Sequence, residues 1–502
     1  MIIYGNHLPA FIIRYVIFIN FTVKDIFFCF IVVTKSIFNG VDFSLTQYIF
    51  NIGMFVMTLM QEKAAKAKAA SILLANVSTD AKNKALLAMA HALEKNKSVI
   101  FKANQNDLDA AAAAVSDRKM SSSLYDRLKL SDAKFKDMVS GIEDVSKLED
   151  LVGKTLSTLI LDDGLTLYQI SCPIGVIGVI FEARPDVVPQ VMSLCLKSGN
   201  ATIFKGGSEA INSNRALFDV LIDALKTVPE IPSDAFQLIE SREDVAEMLK
   251  ADEYIDLLIP RGSNDFVRYI QDNTRISVLG HTSGLCHAYV AESADLETAY
   301  AVCLDSKIQY PAACNAIETM LVHENAAEKF LPKMSEIYTA NGVELRFDEM
   351  SYKIAEKAGG IPLKNASKED WDTEYNDLIL SVKIVKSVDE AVSHINKHGS
   401  HHTDIILSTD QKEIDKFAGL VDSSSVMINA SSRFADGFRY GKGAEVGIST
   451  NKIHSRGPVG MEGLMIYKYI LSGNGHQVKD YVGAEGKSYL HKKSSEKYCR
   501  LQ

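Results

Sequence analysis

The residue of this chain with the clearest capacity for chemistry is Cys314, which lies between a turn of small residues and an apolar run. Residues 311–313 are Pro-Ala-Ala, Asn315 follows, and 316–322 has the pattern of a buried strand. A thiol at the start of a core strand is held rigidly while its sulfur can face a cleft, which suits a nucleophile. An isolated cysteine is more commonly an ordinary buried side chain, so its surroundings must decide its role.

Two glycine-containing loops each follow a short apolar run and open a helical pattern. Residues 205–208 (KGGS) follow the run 201–205, and residues 260–263 (PRGS) follow the run 256–259. Backbone amides at a helix start attract phosphate, glycines allow close approach, and a lysine adds charge. Each loop alone is a weak signal, but two in successive units predict a dinucleotide site. The GxGxxG pattern of the common dinucleotide fold follows neither run.

Arginines and polar loops supply further candidate side chains. Arg184, in the segment FEARPD, has a fork of donors suited to an anionic substrate group or a developing oxyanion; a surface salt bridge is the alternative. Later, 429–436 (NASSRFAD) and 441–447 (GKGAEVG) have the composition of loops around a ligand. The histidines 398, 401 and 402 lack carboxylate or thiol partners at ligand spacing, so no metal site is predicted.

Composition sets the frame in which these residues act. A chain of 502 residues predicts two or three domains, and 23% charged with 47% hydrophobic residues is typical of a globular protein. The net charge of −9 argues against nucleic acid as the main partner. Seven cysteines without CxxC spacing indicate free thiols in a reducing compartment, with neither a zinc site nor a disulfide framework.

Residues 1–56 differ in composition from the rest of the chain. They are crowded with Ile and Phe, yet charged residues interrupt every apolar run before about 18 residues, the length that a spanning helix needs. A basic start and a small-residue cleavage site are also missing. We expect an extension outside the folded unit and no association with membranes; a membrane anchor is the alternative.

Periodicity predicts the elements that position the candidate residues. Helical patterns fill 61–104, with Ser78 or Thr79 as a cap, and a hairpin spans 156–170 around Asp162-Asp163-Gly164. Short apolar runs then alternate with helical patterns from 175 to 279, and a second alternating series runs from 287 to 429. Such alternation predicts an α/β fold with parallel sheets covered on both faces.

Five segments carry a resemblance to a known family. They are PIGVIGVIFEARPDV, IFKGGSEAINSNRAL, LIPRGSNDFV, QYPAACNAIETMLVH and NASSRFADGFRYGKGAEVGISTNKIHSRGPVG. Together they resemble the aldehyde dehydrogenase superfamily over about residues 60–481. The resemblance implies two doubly wound parallel-sheet domains plus an oligomerisation arm. The implied division is a non-family extension (1–56), a cofactor-binding domain (57–286, with the hairpin 156–170 as arm), a catalytic domain (287–435), a return to the cofactor domain with a C-terminal oligomerisation segment (436–486), and a disordered basic tail (487–502).

The resemblance also implies roles for individual residues. The catalytic set is Cys314 as nucleophile, Asn315, and Arg184, which stands where most relatives have an oxyanion-hole asparagine. The candidate substrate-binding residues are Arg184, Asn429 and Arg433, and the candidate cofactor-binding residues are Lys205, Gly206, Gly207, Ser208, Gly262, Ser263 and Glu445. Lys205 and Glu445 match the positions that hold the two riboses. Ser208 falls where NAD-preferring relatives carry a glutamate, so NADPH is favoured.

One departure from hydrolytic relatives indicates the reaction. Oxidation to a free acid needs a general base to activate water, whereas 273–291, where that glutamate would lie, has no Asp or Glu, and Gly280 is near the expected position. The resemblance then implies an NADPH-dependent reductase that converts L-glutamyl 5-phosphate to L-glutamate 5-semialdehyde, the second step of proline biosynthesis. It implies a cytoplasmic homodimer or homotetramer, with the upstream glutamate 5-kinase as a possible partner. Another acylating aldehyde dehydrogenase and a membrane-tethered inactive scaffold are the alternatives.

Overall fold

The structure, a computed structural model, describes residues 57–241 and 243–499, in which five consecutive helices precede a long series of alternating strands and helices. The extension predicted for 1–56 lies outside these residues. The helices are α1 (Leu59–Leu74), α2 (Thr79–Lys95), α3 (Lys97–Ser116), α4 (Ser122–Leu128), α5 (Asp132–Lys147), α6 (Val187–Ser198), α7 (Ile211–Leu225), α8 (Glu243–Met248), α9 (Asn264–Asp272), α10 (Leu296–Ile308), α11 (Glu324–Ala340), α12 (Glu349–Ala358), α13 (Val388–His398) and α14 (Gln411–Leu420).

The strands form three main sheets and a small ribbon. They are β1 (Thr155–Asp162), β2 (Leu165–Pro173), β3 (Val176–Phe181), β4 (Ala201–Gly206), β5 (Phe236–Ile239), β6 (Leu257–Arg261), β7 (Ser277–Val278), β8 (Cys286–Val290), β9 (Ile317–His323), β10 (Glu344–Phe347), β11 (Ile379–Val385), β12 (Thr403–Leu407), β13 (Ser425–Ile428), β14 (Gly447–Ser449), β15 (Gly457–Val459), β16 (Met465–Ser472) and β17 (Lys492–Ser494). β5 was not predicted from the sequence, since its four residues carry too short a pattern.

The predicted N-terminal helices are confirmed, and their starts have a physical cause. The Ser78 side chain accepts a hydrogen bond from the Ala81 amide at the start of α2, as predicted. Leu86, Met89 and Leu93 of the same helix are fully buried. Each contributes roughly 2 kcal/mol of hydrophobic stabilisation, which fixes this face of α2 against the first sheet's core.

The first sheet is parallel, with strand order β5-β4-β3-β6-β7. Along the chain, the central strand β3 comes first. β4 and β5 then add on one side of it, and β6 and β7 add on the other side. Ligands bind where such an order reverses, outside the carboxyl ends of the strands. The loops that follow β3, β4 and β6 therefore lie at one edge of the sheet.

The second sheet is also parallel, with strand order β10-β11-β9-β8-β12-β13. Every residue of β9 is buried, which confirms the core strand predicted after Cys314. Two hydrophobic clusters cover the two faces of this sheet. These two doubly wound sheets confirm the predicted fold class.

An antiparallel sheet of order β16-β2-β1-β17 forms the arm. The predicted hairpin is confirmed, because β1 pairs with β2 around the two-residue turn Asp163-Gly164, and Gly164 has φ 72°, a left-handed conformation that glycine adopts without strain. The structure differs from the disordered tail predicted for 487–502. β17 pairs with β1, and the Thr158 hydroxyl donates to the Glu496 carbonyl.

The chain after β13 returns to the first sheet. Val446, Val459, Met461 and Leu464 are buried in the hydrophobic cluster that surrounds that sheet. This return carries Glu445 and the ribbon β14-β15 to the edge where β3, β4 and β6 end. Among the described helices, none is both long enough and apolar enough to span a bilayer.

Candidate active site

Cys314 lies at the amino end of β9 and is half-buried. Its backbone packs directly against Gly284, which precedes β8. A side chain at Gly284 would overlap the backbone of Cys314. The Cys286 thiol donates to the Cys314 carbonyl oxygen at 3.3 Å. Gly284 and Cys286, at the start of the neighbouring strand β8, therefore fix the backbone of Cys314. This agrees with the rigid placement expected from the sequence.

Two histidines lie beside Cys314, and the sequence analysis did not identify either as part of the site. His281 precedes β8 and His402 precedes β12, so the amino ends of three adjacent strands bring these residues together. One ring nitrogen of each histidine and the Cys314 sulfur all lie within 4.8 Å of one another. The two rings contact edge to face, with centroids 5.1 Å apart.

Hydrogen bonds fix the orientation of both rings. His281 Nδ1 lies 2.9 Å from the Ile448 carbonyl oxygen, which can only accept, so Nδ1 carries the proton. Burial lowers the pKa of His281, which keeps the ring neutral. His402 is fully buried, and its Nδ1 lies 2.9 Å from the Thr403 hydroxyl. In both rings a hydrogen bond therefore holds Nδ1, and Nε2 is the nitrogen that remains for another contact.

The histidines 398, 401 and 402, which are close together in the sequence, have different surroundings in the fold. His398 bonds the Asp372 carboxylate, and His401 Nδ1 lies 2.7 Å from the Asp422 carbonyl oxygen. Of these three histidines, His402 alone turns inward. His401 has φ 61°, a left-handed conformation that redirects the chain just before β12.

Two arginines, Arg261 and Arg433, lie close enough to Cys314 to interact with its charge, and Arg184 lies close to Arg261. Burial lowers the pKa of Arg261, the charge of Arg184 lowers it further, and the charges of Glu445 and Cys314 oppose this. Burial and Arg439 lower the pKa of Arg433, again opposed by Cys314. Arginine remains protonated despite such shifts. Arg184 and Arg433 were predicted site residues, whereas Arg261 was read only as part of a loop.

Arg261 and Arg433 are each tied to a neighbouring loop. Arg261, at the carboxyl end of β6, donates from Nη1 to the Val446 carbonyl at 2.7 Å. Arg433 donates from Nε to Gln309, which lies shortly before Cys314, at 2.8 Å. The first contact links the first sheet to the returning chain, and the second ties Arg433 to the segment that precedes Cys314.

Glu445 lies at the same edge as Arg261. Burial raises the pKa of its carboxyl group, while a hydrogen bond from the Gly437 amide, at 2.7 Å, lowers it. Glu445 also lines a cavity of about 430 Å³ between α5, α6 and the loop 436–445. Asp186 and Gln190 of the adjacent segment line that cavity too, and Gln190 donates to the Glu445 carbonyl at 2.9 Å.

Two of the predicted cofactor residues after β4, Gly206 and Gly207, line a small cleft. Lys205 is buried and its ammonium donates to the Gly206 carbonyl at 2.6 Å. A side chain on Gly207 would displace the Glu209 carboxylate, which lies against this glycine. Ser208 is exposed at the start of a 3-10 helix. The cleft is lined by Gly206, Gly207, Ile211, Asn214, Leu238, Ile239 and Glu240.

The second predicted phosphate loop, after β6, is already occupied by a carboxylate of the protein. Glu182 accepts a hydrogen bond from the Ser263 amide at 3.0 Å, and a side chain on Gly262 would meet the same carboxylate. An anion could reach this amide only if Glu182 moved away. The loop after β4 is therefore the better anchor for a dinucleotide.

Two predicted site residues have structural hydrogen bonds. The Asn315 side chain is buried and donates to the Ala435 carbonyl at 2.9 Å, which ties the start of β9 to the loop 429–436. The Asn429 side chain exchanges two hydrogen bonds with the Ser408 backbone, at 3.0 and 2.9 Å. These contacts favour positioning roles for both, and the predicted catalytic role of Asn315 and substrate binding by Asn429 stay predictions.

The other core thiols are poor nucleophiles. Burial raises the pKa of Cys195 and of Cys303 to about 12, and it raises the pKa of Cys286 well above its ordinary value. A thiolate is the reactive form of cysteine. Half-buried Cys314, with cationic groups around it, differs from all three.

Comparison with known proteins agrees with this arrangement. The sequence profile of the aldehyde dehydrogenase family matches residues 57–351. The gamma-glutamyl phosphate reductases of Methanococcoides burtonii and Methanosarcina mazei are 61% and 62% identical to this chain over 440 and 439 residues, which span 88% of this chain and 98% of each relative. The crystal structure of gamma-glutamyl phosphate reductase from Thermotoga maritima superposes with a TM-score of 0.80 at 40% identity, covering 84% of this chain and 100% of that chain.

These matches confirm the resemblance and decide between the alternatives left open by the sequence. They favour neither a different acylating aldehyde dehydrogenase nor a membrane-tethered scaffold. Membership of the family also brings the use of a nicotinamide dinucleotide. The chain therefore belongs to the aldehyde dehydrogenase family and, within it, to the gamma-glutamyl phosphate reductases, which reduce L-glutamyl 5-phosphate to L-glutamate 5-semialdehyde in proline biosynthesis.

Proposed function

We propose that this reduction proceeds with NADPH through a thioester on Cys314, and that phosphate, not water, is the acyl partner of the thioester in the reverse direction. The observation that carries the proposal is the placement of half-buried Cys314 close to the charges of Arg261 and Arg433, while the other core thiols are shielded by burial. Positive charge attracts an acyl phosphate to this thiol.

The first step is attack of the Cys314 thiolate on the γ-carbonyl carbon of L-glutamyl 5-phosphate. A C–S bond forms, the carbonyl electrons move to oxygen, and their return expels phosphate and leaves the thioester. Arg184, at the position of the family's oxyanion donor, stabilises the oxygen charge in the proposed mechanism. Arg261 adds a second cation for the departing phosphate, since its guanidinium fork matches the geometry of phosphate oxygens.

The second half of the proposal concerns the acyl group held on Cys314. When bound, NADPH supplies the hydride that takes this acyl group to the aldehyde level. The resulting hemithioacetal oxygen lies where Arg184 acts again, and collapse breaks the C–S bond to return the Cys314 thiolate and release the semialdehyde. Arg433, tied by Gln309 to the segment that precedes Cys314, is our candidate for the substrate's α-carboxylate.

The chain's own residues fit a dinucleotide in the first sheet. In the proposal, Lys205 and Ser208 hold the adenosine ribose and its 2′-phosphate, Gly207 lets the backbone approach, and Glu445 holds the nicotinamide ribose. Support comes from the small cleft after β4, whose side-chain-free glycines lie next to a buried lysine. Ser208 is exposed and uncharged, so it leaves room for a 2′-phosphate.

Two carboxylates that adjoin the site, Glu374 beside Gly284 and Glu445 beside Arg261, accept hydrogen bonds from the protein. Glu374 accepts hydrogen bonds from the Gly284 amide at 2.9 Å and from the Asn264 side chain at 2.7 Å, so both its oxygens are engaged. Glu445 accepts from the Gly437 amide. These contacts, together with the absence of acidic residues from 273–291, support phosphate and not water as the proposed partner of the thioester.

The test is semialdehyde-dependent reduction of NADP with and without phosphate. We expect turnover to require phosphate or arsenate and to fall to background in their absence. Steady release of free glutamate in phosphate-free buffer would contradict the proposal, because it would demonstrate a base for water. A matched reaction with sulfate at equal ionic strength controls for salt effects.

We further propose a homo-oligomer in the cytoplasm. The arm strand β16 exposes Tyr467, Tyr469 and Leu471, an apolar patch suited to a second copy of the chain. The six described cysteines are all unpaired, as is usual for proteins of a reducing compartment. Sedimentation of the native enzyme beside a Tyr469→Lys variant tests the oligomer, since a charge on this strand should reduce assembly.

A further inference from the structure

The group formed by His281, Cys314 and His402 has the chemistry of a transition-metal site, in addition to its place beside the nucleophile. We propose that it binds Zn²⁺ or a similar thiophilic divalent ion, and that the bound ion reversibly inhibits the enzyme by occupying the Cys314 sulfur. The inhibition rests on the proposed role of Cys314, whereas the binding itself rests on geometry alone.

The donor set and its spacing carry the first step. Two imidazoles and one thiolate are ligands that Zn²⁺ prefers. Tetrahedral coordination at ordinary bond lengths places donor atoms about 3.5 Å apart. The three donors already lie within 4.8 Å of one another, so side-chain movements of about 1 Å complete the site. Three protein ligands leave a fourth position for water or an anion.

The hydrogen bonds of the two histidines carry the second step. A metal-bound histidine commonly donates its other ring N–H to a backbone carbonyl, which fixes the tautomer and orients the ring. His281 makes this contact through Nδ1 to the Ile448 carbonyl oxygen, so its Nε2 offers a lone pair.

His402 supplies an independent indication of a missing partner. Its side chain is completely buried, with 0% of its area accessible to solvent. Its Nε2 has no hydrogen-bond partner among the described residues. A buried polar atom without a partner costs about 1–3 kcal/mol. Coordination of an ion by Nε2 removes that cost, while Nδ1 stays on the Thr403 hydroxyl.

The surrounding charge sets which ions bind. Arg261 and Arg433 repel any cation, so binding needs the strong bond of a soft metal to the thiolate. The Cys314 thiol releases its proton to solvent as the S–metal bond forms, and no electron is transferred. Hard ions such as Mg²⁺ gain little from sulfur and should not bind here.

Cobalt is the probe for binding, because a thiolate bound to Co²⁺ absorbs in the near ultraviolet and zinc does not. We expect the full-length enzyme to bind one Co²⁺ with this charge-transfer absorption, and Zn²⁺ to displace it. Cys314→Ser should remove the absorption. His281→Gln should weaken binding about tenfold or more, and the exposed His91→Gln on α2 should change nothing.

The activity measurement separates this inference from the proposed function. Zn²⁺ should inhibit the reductase, EDTA should restore it, and His281→Gln should raise the Zn²⁺ concentration for half-inhibition of its remaining activity about tenfold. Because His402 is buried and its replacement can unfold the protein, His281→Gln and Cys314→Ser carry the test. A Co²⁺ absorption unchanged in Cys314→Ser, or no absorption at all, would overturn the metal site, while an inactive metal-free enzyme would instead contradict the proposed function.

Discussion

The backbones of Gly284 and Cys314 are in direct contact: a Cβ atom built on Gly284 would lie 2.6 Å from the carbonyl carbon of Cys314. Real Cβ atoms do not approach so closely, and the obstacle is main chain, which cannot rotate away. The position of Cys314 therefore depends on the absence of a side chain at Gly284, just before the neighbouring strand β8.

Gly284→Ala should displace Cys314 and reduce kcat/KM by about a hundredfold or more, because a shift of about 1 Å at a reacting atom has effects of that size. Steady-state kinetics in the reductive direction measures the loss. Gly419→Ala is the matched control, since nothing lies within 4 Å of its Cβ and α14 should gain about 1 kcal/mol from alanine. Equal kinetics for the two variants would show that the contact does not position the thiol.

Cys314→Ser should abolish turnover while folding and cofactor binding persist, because the substitution removes the sulfur alone. Cys195→Ser and Cys303→Ala should keep most activity, since burial raises the pKa of both thiols to about 12 and neither reaches the site as a thiolate. Mass spectrometry of the acyl-enzyme locates the thioester. An acyl group on either buried cysteine would mean that the wrong thiol has been assigned.

Ser208→Glu should weaken NADPH binding more than NADH binding. A carboxylate at this exposed position would face the 2′-phosphate, and like charges at close range cost on the order of 1 kcal/mol or more. Ser208→Gln has nearly the same shape without the charge and is the control. Fluorescence titration with both cofactors measures the ratio, and an equal loss for both would place the 2′-phosphate elsewhere.

Lys307 at the end of α10 and Glu318 of β9 form a buried ion pair, with their charged atoms 2.6 Å apart. Lys307→Met should lower the free energy of unfolding by about 3 kcal/mol, because it leaves a buried carboxylate without its cation. Glu318→Gln should also destabilise, and the double variant should lose less than the sum of the two. Urea denaturation measures each step.

The loss of stability in Lys307→Met should also depend on pH. Burial raises the pKa of Glu318 to about 7 even with Lys307 present. Without the cation the folded state holds this proton still more tightly than the unfolded chain does, so stability falls as pH rises above about 4.5. The variant should be less impaired at pH 5 than at pH 8, and a flat profile would contradict the prediction.

Much of the molecule follows from local pattern. The apolar run after Cys314 predicts β9, the hairpin around Gly164 is read from its turn residues, and Lys205 with Ser208 lies in the loop that the resemblance indicates. These features depend on residues close together in the chain, where periodicity and turn chemistry are informative.

The remainder of the site depends on which strands become neighbours. His281 and His402 join Cys314 because β8 lies between β9 and β12, and Glu182 reaches the Ser263 amide because β3 pairs with β6. Strand order cannot be read from periodicity. The inward turn of His402 also depends on the left-handed backbone of His401, which the sequence HH does not reveal.

The last strand of the arm bears on the fate of damaged protein. β17 covers the outer edge of β1 and presents Lys492 and Lys493 there, and lysines on an edge strand discourage pairing with other chains. A molecule clipped by a protease before Lys492 would bare the β1 backbone. We expect such fragments to seed aggregates and to be the form that cellular quality control removes, so intactness of these last residues is a useful check on any preparation of the enzyme.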